Sequence, residues 1–418
     1  MWMRQGGNAA LLLVGAAWVA LLAAILAHRV FVTNDSLSNY IHVWYIAQRF
    51  WGGHGVPFHM PLIGHGQAFA FPYGFIPWMS AALLRPLLGD RVVTLWLVAG
   101  ALGVIGGAWW AFPELRGGWW TALLLLNPML IEGPLLGQLP FLWATAMLFA
   151  AIALWRGERR LLAALALGAA QATHAPVLLP IAGVLVVARL WWEPRRGDLL
   201  AWYAVSLLIA APAAWIALVS PTVEDASART LMGNFFGTVS LRAIVVGAPF
   251  IGLALQRTAF ARVPVALFAA LIALNVVLVP VRRDQFAWGA LRRTPDHSLT
   301  SFIDTASFVP GATYRILRVA DGKVGMYDLL RAGARLDSEP FPESIDRRSW
   351  PTLTAYLAFL RGRQVDYVIV YNTYDHDLGT NEHHLLEEMA GSADAQPCTT
   401  VQFRGAGFDV YRIHRERC

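Results

Sequence analysis

FVTNDSLSNYIHVWYIAQRFW, residues 31–51, follows directly on an apolar run at residues 8–27 and carries an aspartate, Asp35, close to its start. After Asp35, the side chains of Leu37, Tyr40, Ile41, Trp44 and Tyr45 recur at helical spacing. That pattern predicts an amphipathic helix lying along a membrane surface, with its aromatic residues at the interface. Such a helix would fix Asp35 at the depth of lipid headgroups. A second reading is equally grounded in the residues: NDS is a good helix N-cap, and carboxylates at a membrane edge often cap helices or snorkel toward water.

The composition on either side agrees with a membrane setting. Of 418 residues, 57% are hydrophobic and 14% charged, where a soluble chain carries about 25% charged residues. The deficit is confined to residues 1–280, which predicts a mainly α, polytopic helical membrane domain there and a soluble α/β domain over 281–418. Apolar runs fall at 8–27, 68–88, 91–111, 118–132, 137–155, 160–173, 175–192, 199–219, 241–257 and 261–280, or about nine to eleven spans. The first run is followed by further apolar segments and shows no small-residue cleavage site, so it reads as a retained transmembrane helix. Trp44, Trp51, Trp119, Trp120, Trp191 and Trp192 stand near expected membrane edges. The net charge of +6 is explained by arginines in short connecting loops and needs no nucleic-acid partner.

Those arginines set the orientation. WRGERR (155–160), EPRRGD (193–198) and QRTAFAR (256–262) are expected on the cytoplasmic side with the N-terminus, which places the Asp35 loop, the loop 220–240 and the C-terminal domain outside. The expected location is a bacterial-type inner cell membrane, multi-pass. One conflict arises. Four apolar runs separate the Asp35 loop from Trp155, but opposite sides require an odd number of crossings. Either 68–88, with prolines at 72, 77 and 86, or the short run 118–132 fails to span.

The C-terminal part alternates α and β. SLTSFIDTASFV and WPTLTAYLAFLRGR have helical spacing, VDYVIVYN reads as a buried strand, EHHLLEEMA as a helix, and TTVQFRGAGFDVYRI as a closing hairpin. The two cysteines, Cys398 and Cys418, leave a disulfide open outside the cytoplasm, although a hairpin turning at 405–407 sets Cys398 opposite about Ile413, several residues short of Cys418.

Chemistry-bearing residues gather in a few places. NPMLIEGPLLGQLPF (127–141) holds Glu132, the sole acid between Glu114 and Glu158, with Gln138 close behind; it is either a functional acid in apolar surroundings or a membrane-edge residue at a Pro/Gly turn. GGHGVPFHMPLIGHGQ carries His54, His59 and His65, downstream of His42. Their spacing matches no zinc pattern, and contact with a phosphate or sugar hydroxyl suits them better than a metal. GAAQATHAPVLLP places Gln171, Thr173 and His174 at membrane depth, facing a cavity or another helix. Arg229 in the loop 220–240, and Arg242 after it, are candidates for gripping a phosphate, or interface anchors. Asn372 to His384 gathers acids and histidines at a strand end, a favoured ligand position in α/β domains but commonly a solvated loop.

A retained first helix, an outer first loop with an acid near its start, an interfacial helix, and then HGQAFAFPYGFIPWMSAALLRPLLG resemble the GT-C superfamily of integral-membrane glycosyltransferases. The resemblance implies transfer of a sugar from a polyprenyl-phosphate-linked donor to an extracytoplasmic glycan, lipid or protein acceptor, with inversion. It implies Asp35 as catalytic base and Glu132 as a second acid, with Tyr40, His42, His54, His59, His65, Gln138, His174, Arg229 and Arg242 as substrate contacts. The chain lacks the paired acids of some members, so the resemblance leaves the metal unassigned, with Mg or Mn as the divalent cation to consider. Two other classes fit the composition: a transporter or flippase of lipid-linked sugars, which would show inverted repeats and midplane charges, and a non-catalytic membrane assembly protein of the same shape.

Overall fold

The computed structural model describes residues 2–33, 36–57, 60–64, 74–116, 118–126, 128–191, 193–219, 291, 295–317, 323–337, 349–371, 381–391 and 398–416. Asp35, His59, His65, Arg229, Arg242, Cys418, the expected runs 241–257 and 261–280, and the loop 372–380 lie outside them. The described residues form two compact units. One holds those up to 57, from 74 to 219, and 291; the other holds 60–64 and everything from 295 onward.

The first unit is helical: α1 (Trp2–Ala27), α2 (Ser36–Arg49), α3 (Phe75–Leu88), α4 (Arg91–Ala111), α5 (Gly118–Leu125), α6 (Pro128–Leu136), α7 (Leu139–Arg156), α8 (Arg160–Thr173), α9 (Ala175–Leu190) and α10 (Arg196–Val219). Among the described residues three helices are long and apolar enough to cross a membrane: Gly7–Ala27, Arg91–Ala111 and Leu139–Arg156. Phe75–Leu88, Arg160–Thr173 and Val177–Leu190 are apolar but shorter. At 1.5 Å per residue the 14-residue α3 and α8 reach only about 21 Å, against a hydrocarbon core of about 30 Å.

Contacts between the helices fix their directions. A glycine stripe on α4 lets α7 approach closely: Cβ atoms built at Gly100, Gly103 and Gly107 would lie 2.9, 3.2 and 3.1 Å from Trp143, Ala146 and Phe149. Both series ascend together, so α4 and α7 run parallel. Their ends agree, with Trp143 Nε1 donating to the Trp96 carbonyl (2.9 Å) and Arg156 Nη1 to the Ala111 carbonyl (2.6 Å). The chain between them must therefore return the length of α4. It does so through α5 and α6, two short helices broken ahead of Pro128, with α5 rising beside α1: Gly7 meets Trp119, and Trp18 Nε1 donates to the Leu125 carbonyl (2.6 Å). The expected single helix at 118–132 is thus two. α3 starts against the beginning of α7, at Pro140, and α4 also starts at that end, so α3 does not traverse the bundle.

Two expectations are corrected in this unit. α2 does not lie along a surface: every residue from Ser36 to Ala47 is buried, because α3 and α4 enclose its aromatic face. Trp44, expected at a membrane edge, is buried with it, while Trp51, Trp119 and Trp191 are exposed.

The second unit is a five-stranded sheet in the order β2-β1-β3-β5-β4, from β1 (Thr313–Leu317), β2 (Arg335–Leu336), β3 (Tyr367–Tyr371), β4 (Thr399–Arg404) and β5 (Phe408–Ile413). β2, β1 and β3 are parallel, and β5 and β4 add an antiparallel hairpin. Strands β1 and β3 are buried at every residue, as central parallel strands are. The helices α11 (Thr300–Ile303), α12 (Lys323–Arg331), α13 (Leu353–Gly362) and α14 (Glu382–Gly391) connect them. α13 begins at an N-cap threonine, Thr352, whose hydroxyl accepts from Ala355 N at 3.2 Å. Leu360, Leu386 and Met389 from α13 and α14 pack on Val368 and Val370. The edge at β2 is covered by the first-loop segment 60–64, where the Leu62 carbonyl accepts from Leu336 N (2.8 Å) and Ile63 pairs parallel with Leu336. SLTSFIDTASFV makes a single helical turn rather than a long helix, because its hydroxyls bond locally: Thr300 to His297 O, Ser301 to Ser298 O and Thr305 to Phe302 O, each 2.7 Å. The hairpin register places Cys398 opposite His414, whose N–H donates to the Cys398 carbonyl (2.8 Å).

An ion triad lies inside this unit. Arg315 on β1 grips Glu382 with Nε (2.9 Å) and Nη2 (2.7 Å) and Asp337 with Nη1 (2.9 Å), all three side chains buried. Burial opposes the guanidinium charge, but the two carboxylates outweigh it and raise its pKa well above the ordinary arginine value. Glu382, part of the acidic–histidine stretch, is therefore committed to the core. Arg315→Met would remove the buried guanidinium that both carboxylates share; loss of about 3–5 kcal/mol of unfolding free energy is expected, read by denaturant unfolding of the purified protein.

Candidate functional site

The sequence loops of interest converge at one end of the helical unit. Val30 to Thr33 approach α2 as a buried extended segment. Ser36, at the start of α2, accepts from Thr33 N through its hydroxyl at 2.7 Å, so the residues on both sides of Asp35 are pinned to each other.

They are also pinned to the turn after α6. That helix, which carries Glu132 (its side chain is outside the described set), ends in a Schellman motif: Gln138 N donates to Gly133 O (2.9 Å) and Gly137 N to Pro134 O (3.1 Å). Gly137 has φ +75°, and a Cβ there would lie 2.6 Å from both Ser36 Cβ and Thr33 Oγ1. Only glycine meets both demands. Two loops about a hundred positions apart thus touch at the flanks of Asp35 and at the end of the Glu132 helix.

Asn39 fastens this contact. Its Nδ2 donates to the Gly137 carbonyl (2.8 Å), and its Oδ1 accepts from Trp78 Nε1 on α3 (2.8 Å). Trp78 in turn stacks on His42, with ring centroids 4.1 Å apart and an angle of 11°. His42 Nδ1 donates to the Ser38 carbonyl at 2.6 Å, which fixes the tautomer of the neutral ring. Burial pushes the imidazole down to about 4 from its ordinary 6.5, the Ser38 carbonyl opposing this only in part. Tyr40 is equally enclosed. Its hydroxyl accepts from Phe31 N and pairs with Thr94 Oγ1, both at 2.8 Å, and desolvation raises its pKa to about 12. The side chains expected to contact substrate from α2 are therefore engaged inside the protein.

The turn between α8 and α9 completes the cluster. The Thr173 carbonyl accepts from Gly74 N at the start of α3 (2.8 Å), and the buried His174 ring stands edge-on to Phe141 near the start of α7 (5.6 Å, 73°). Gln171 instead serves helix packing, its Oε1 accepting from Ser206 Oγ on α10 at 3.3 Å. Gln138, half-buried, directly follows Gly137. His54 sits exposed in the π-helical turn Phe50–His54 that ends α2 and is not joined to the network. Among the described residues no three His, Cys, Asp or Glu side chains gather as a metal site would require. Asn39, Trp78, Ser36 and Gly137 escaped the sequence reading; an asparagine and two serines inside one helical run, SLSNY, were the available signal. No protein-family model matches the chain, and no curated protein matches it.

Asn39→Ala would remove the acceptor of the Trp78 indole N–H and the donor to the Gly137 carbonyl, at about 1–3 kcal/mol each, and should lower the thermal unfolding midpoint of the detergent-solubilised protein. Asn39→Asp, which sets a buried carboxylate against the Gly137 carbonyl, should lower it at least as far. The His42 shift has a definite pH sign. The unfolded ring takes up its proton as pH falls through 6.5, but the folded ring holds out to about 4. Stability tied to the neutral ring is therefore complete above 6.5 and is lost progressively below it, on the order of 3 kcal/mol in all. Unfolding midpoints measured across that window should fall for wild type and fall less for His42→Gln.

Proposed function

We propose that this chain is a multi-pass inner-membrane glycosyltransferase of the GT-C type, with Asp35 as general base. It would move a sugar from a polyprenyl-phosphate donor to an acceptor outside the cytoplasm. The observation that carries the reading is the contact of Thr33 and Ser36, the described neighbours of Asp35, with Gly137 at the end of the Glu132 helix. It supports placing both acids in one site.

Topology adds support. The Asp35 loop was assigned by charge to the outer side, and the described residues flanking it meet the turn after Glu132 and the His174 turn at one end of the bundle. Counting α4, the α5–α6 pair and α7 as crossings gives the odd number that the arginine distribution requires. The first-loop segment 60–64 belongs to the same sheet as the C-terminal domain, in keeping with both lying outside. With the runs beyond 219 added and 68–88 left out, the working topology has nine spans.

In this reaction the acceptor hydroxyl gives its proton to Asp35 as its oxygen attacks the anomeric carbon. The bond from that carbon to the phosphate oxygen breaks, and its electron pair leaves with the phosphate. A base and an electrostatic clamp on the leaving group are what the step needs. Glu132 is assigned to orient the acceptor or support a divalent cation such as Mg or Mn. Arg229 and Arg242 are assigned to the departing phosphate, and His59, His65 and Gln138 to sugar or phosphate hydroxyls.

Membranes containing the protein should transfer label from a radiolabelled polyprenyl-phospho-sugar, and Asp35→Asn should cut the rate by about 10²–10⁴-fold with protein levels unchanged. Equal transfer by the two would overturn the assignment of Asp35.

A further inference from the structure

We infer that the helical unit carries a second ligand site, at the end of α7, α8 and α9 opposite the Gly137 cluster, and that it holds an anionic phospholipid from the arginine-rich leaflet. A cavity of about 640 Å³ opens there between α7, α8, α9 and α10. Its volume lies within the roughly 300–1,000 Å³ of small-molecule sites.

The lining divides by chemistry along the helices. Mid-helix positions supply an aliphatic wall, with Leu148, Ile152, Leu167 and Leu185. The helix ends supply charge: Arg156, Arg160, Arg189 and Arg195 against Glu158 and Glu193. Among the described lining residues, four guanidinium groups and two carboxylates leave an excess of two positive charges. Glu193 is matched by Arg189 at 3.0 Å, and Arg160 and Arg195 bring their charge to the rim. Arg160 lies flat over Trp155 (3.9 Å), and Arg156 is anchored through Nη1 on the Ala111 carbonyl. Both are thereby held at the rim, and Arg160, which spends Nη1 on the Trp155 carbonyl (3.1 Å), has its remaining N–H groups to offer a phosphate.

Each half of the lining excludes a different occupant. A soluble anion has no use for the aliphatic wall, and a neutral lipid leaves the cationic rim unmatched. An acyl chain beneath a phosphodiester satisfies both, as basic pockets between membrane helices on the cytoplasmic side do. This site is independent of the sugar-transfer reading and can stand or fall without it.

The test is native mass spectrometry of the purified full-length protein, delipidated in neutral detergent and then offered phosphatidylglycerol and phosphatidylethanolamine with identical acyl chains. Wild type should retain phosphatidylglycerol preferentially. Arg160→Gln with Arg195→Gln should reduce that retention roughly fivefold for each arginine removed, with phosphatidylethanolamine retention unchanged. Equal retention of the two lipids by wild type overturns the proposal without recourse to any variant. So does full phosphatidylglycerol preference in the double variant, and so does displacement of the lipid by glycerol phosphate alone, which would show the aliphatic wall to be idle.

Discussion

Where Gly137 meets Thr33 and Ser36, a single added carbon would sit 2.6 Å from two separate side chains. The rest of the helical unit depends on that closeness. It requires α6 to stop in a left-handed glycine, and it brings the Gly137 carbonyl within reach of Asn39. Asn39 then fixes Trp78, and Trp78 fixes His42. The result is a chain of neutral polar groups passing from α2 to α3 and to the α6–α7 turn, with the backbone of the α8–α9 turn joined through Gly74. Hydrogen bonds in such dry surroundings are strong when complete and costly when broken, so the four segments hold one arrangement rather than several.

The same closeness explains why the helices between these turns are unequal. α4 and α7 run parallel, which forces the connecting stretch to climb back, and it climbs as two pieces of 8 and 9 residues. A break at membrane depth frees backbone groups that lipid cannot satisfy, and only a protein-lined surrounding tolerates it. The far end of α6 is protein-lined: Gly133, Pro134 and Leu135 are buried, and its last carbonyls are taken up by the Schellman bonds. α3 is likewise short and packs with α2, α4 and α7 through its buried Pro77, Trp78, Ala81 and Ala82, while Leu83, Leu84, Leu87 and Leu88 are exposed.

Local pattern carried the sequence reading where contacts are local. The closing hairpin turned at 405–407 as the glycines implied, β3 emerged from VDYVIVYN, and α14 from EHHLLEEMA. Local pattern failed in three ways. Leu37, Tyr40, Ile41, Trp44 and Tyr45 do form one stripe, but the opposite face of α2 is also enclosed, by partners such as Gly137 that lie about a hundred residues away. Periodicity reports one greasy face and cannot report what covers the other. The run 118–132 was uniformly apolar, and nothing in its hydropathy marks the break ahead of Pro128. In SLTSFIDTASFV the apolar spacing was helical, but three hydroxyl residues, Thr300, Ser301 and Thr305, bonded the local backbone instead. At the site, the acids and histidines stood out by type, whereas Asn39 is an ordinary residue whose role exists only through its two distant partners.

The two ends of the α7–α9 group answer to one dimensional constraint. α8, with 14 residues, is about 21 Å long and shorter than its neighbours α7, with 18 residues, and α10, with 24. A short helix between long ones leaves space at one end or the other. At the Thr173 end that space is closed, because Thr173 is tied to Gly74 and His174 is packed on Phe141. The shortfall therefore falls at the Arg160 end, where the cavity lies. A void of that size lined by leucines and alanines would forfeit dispersion contacts along every wall, and arginines held at its mouth would face lipid headgroups. The tightness of the polar cluster at one end and the open, basic cavity at the other are thus consequences of the same short helix.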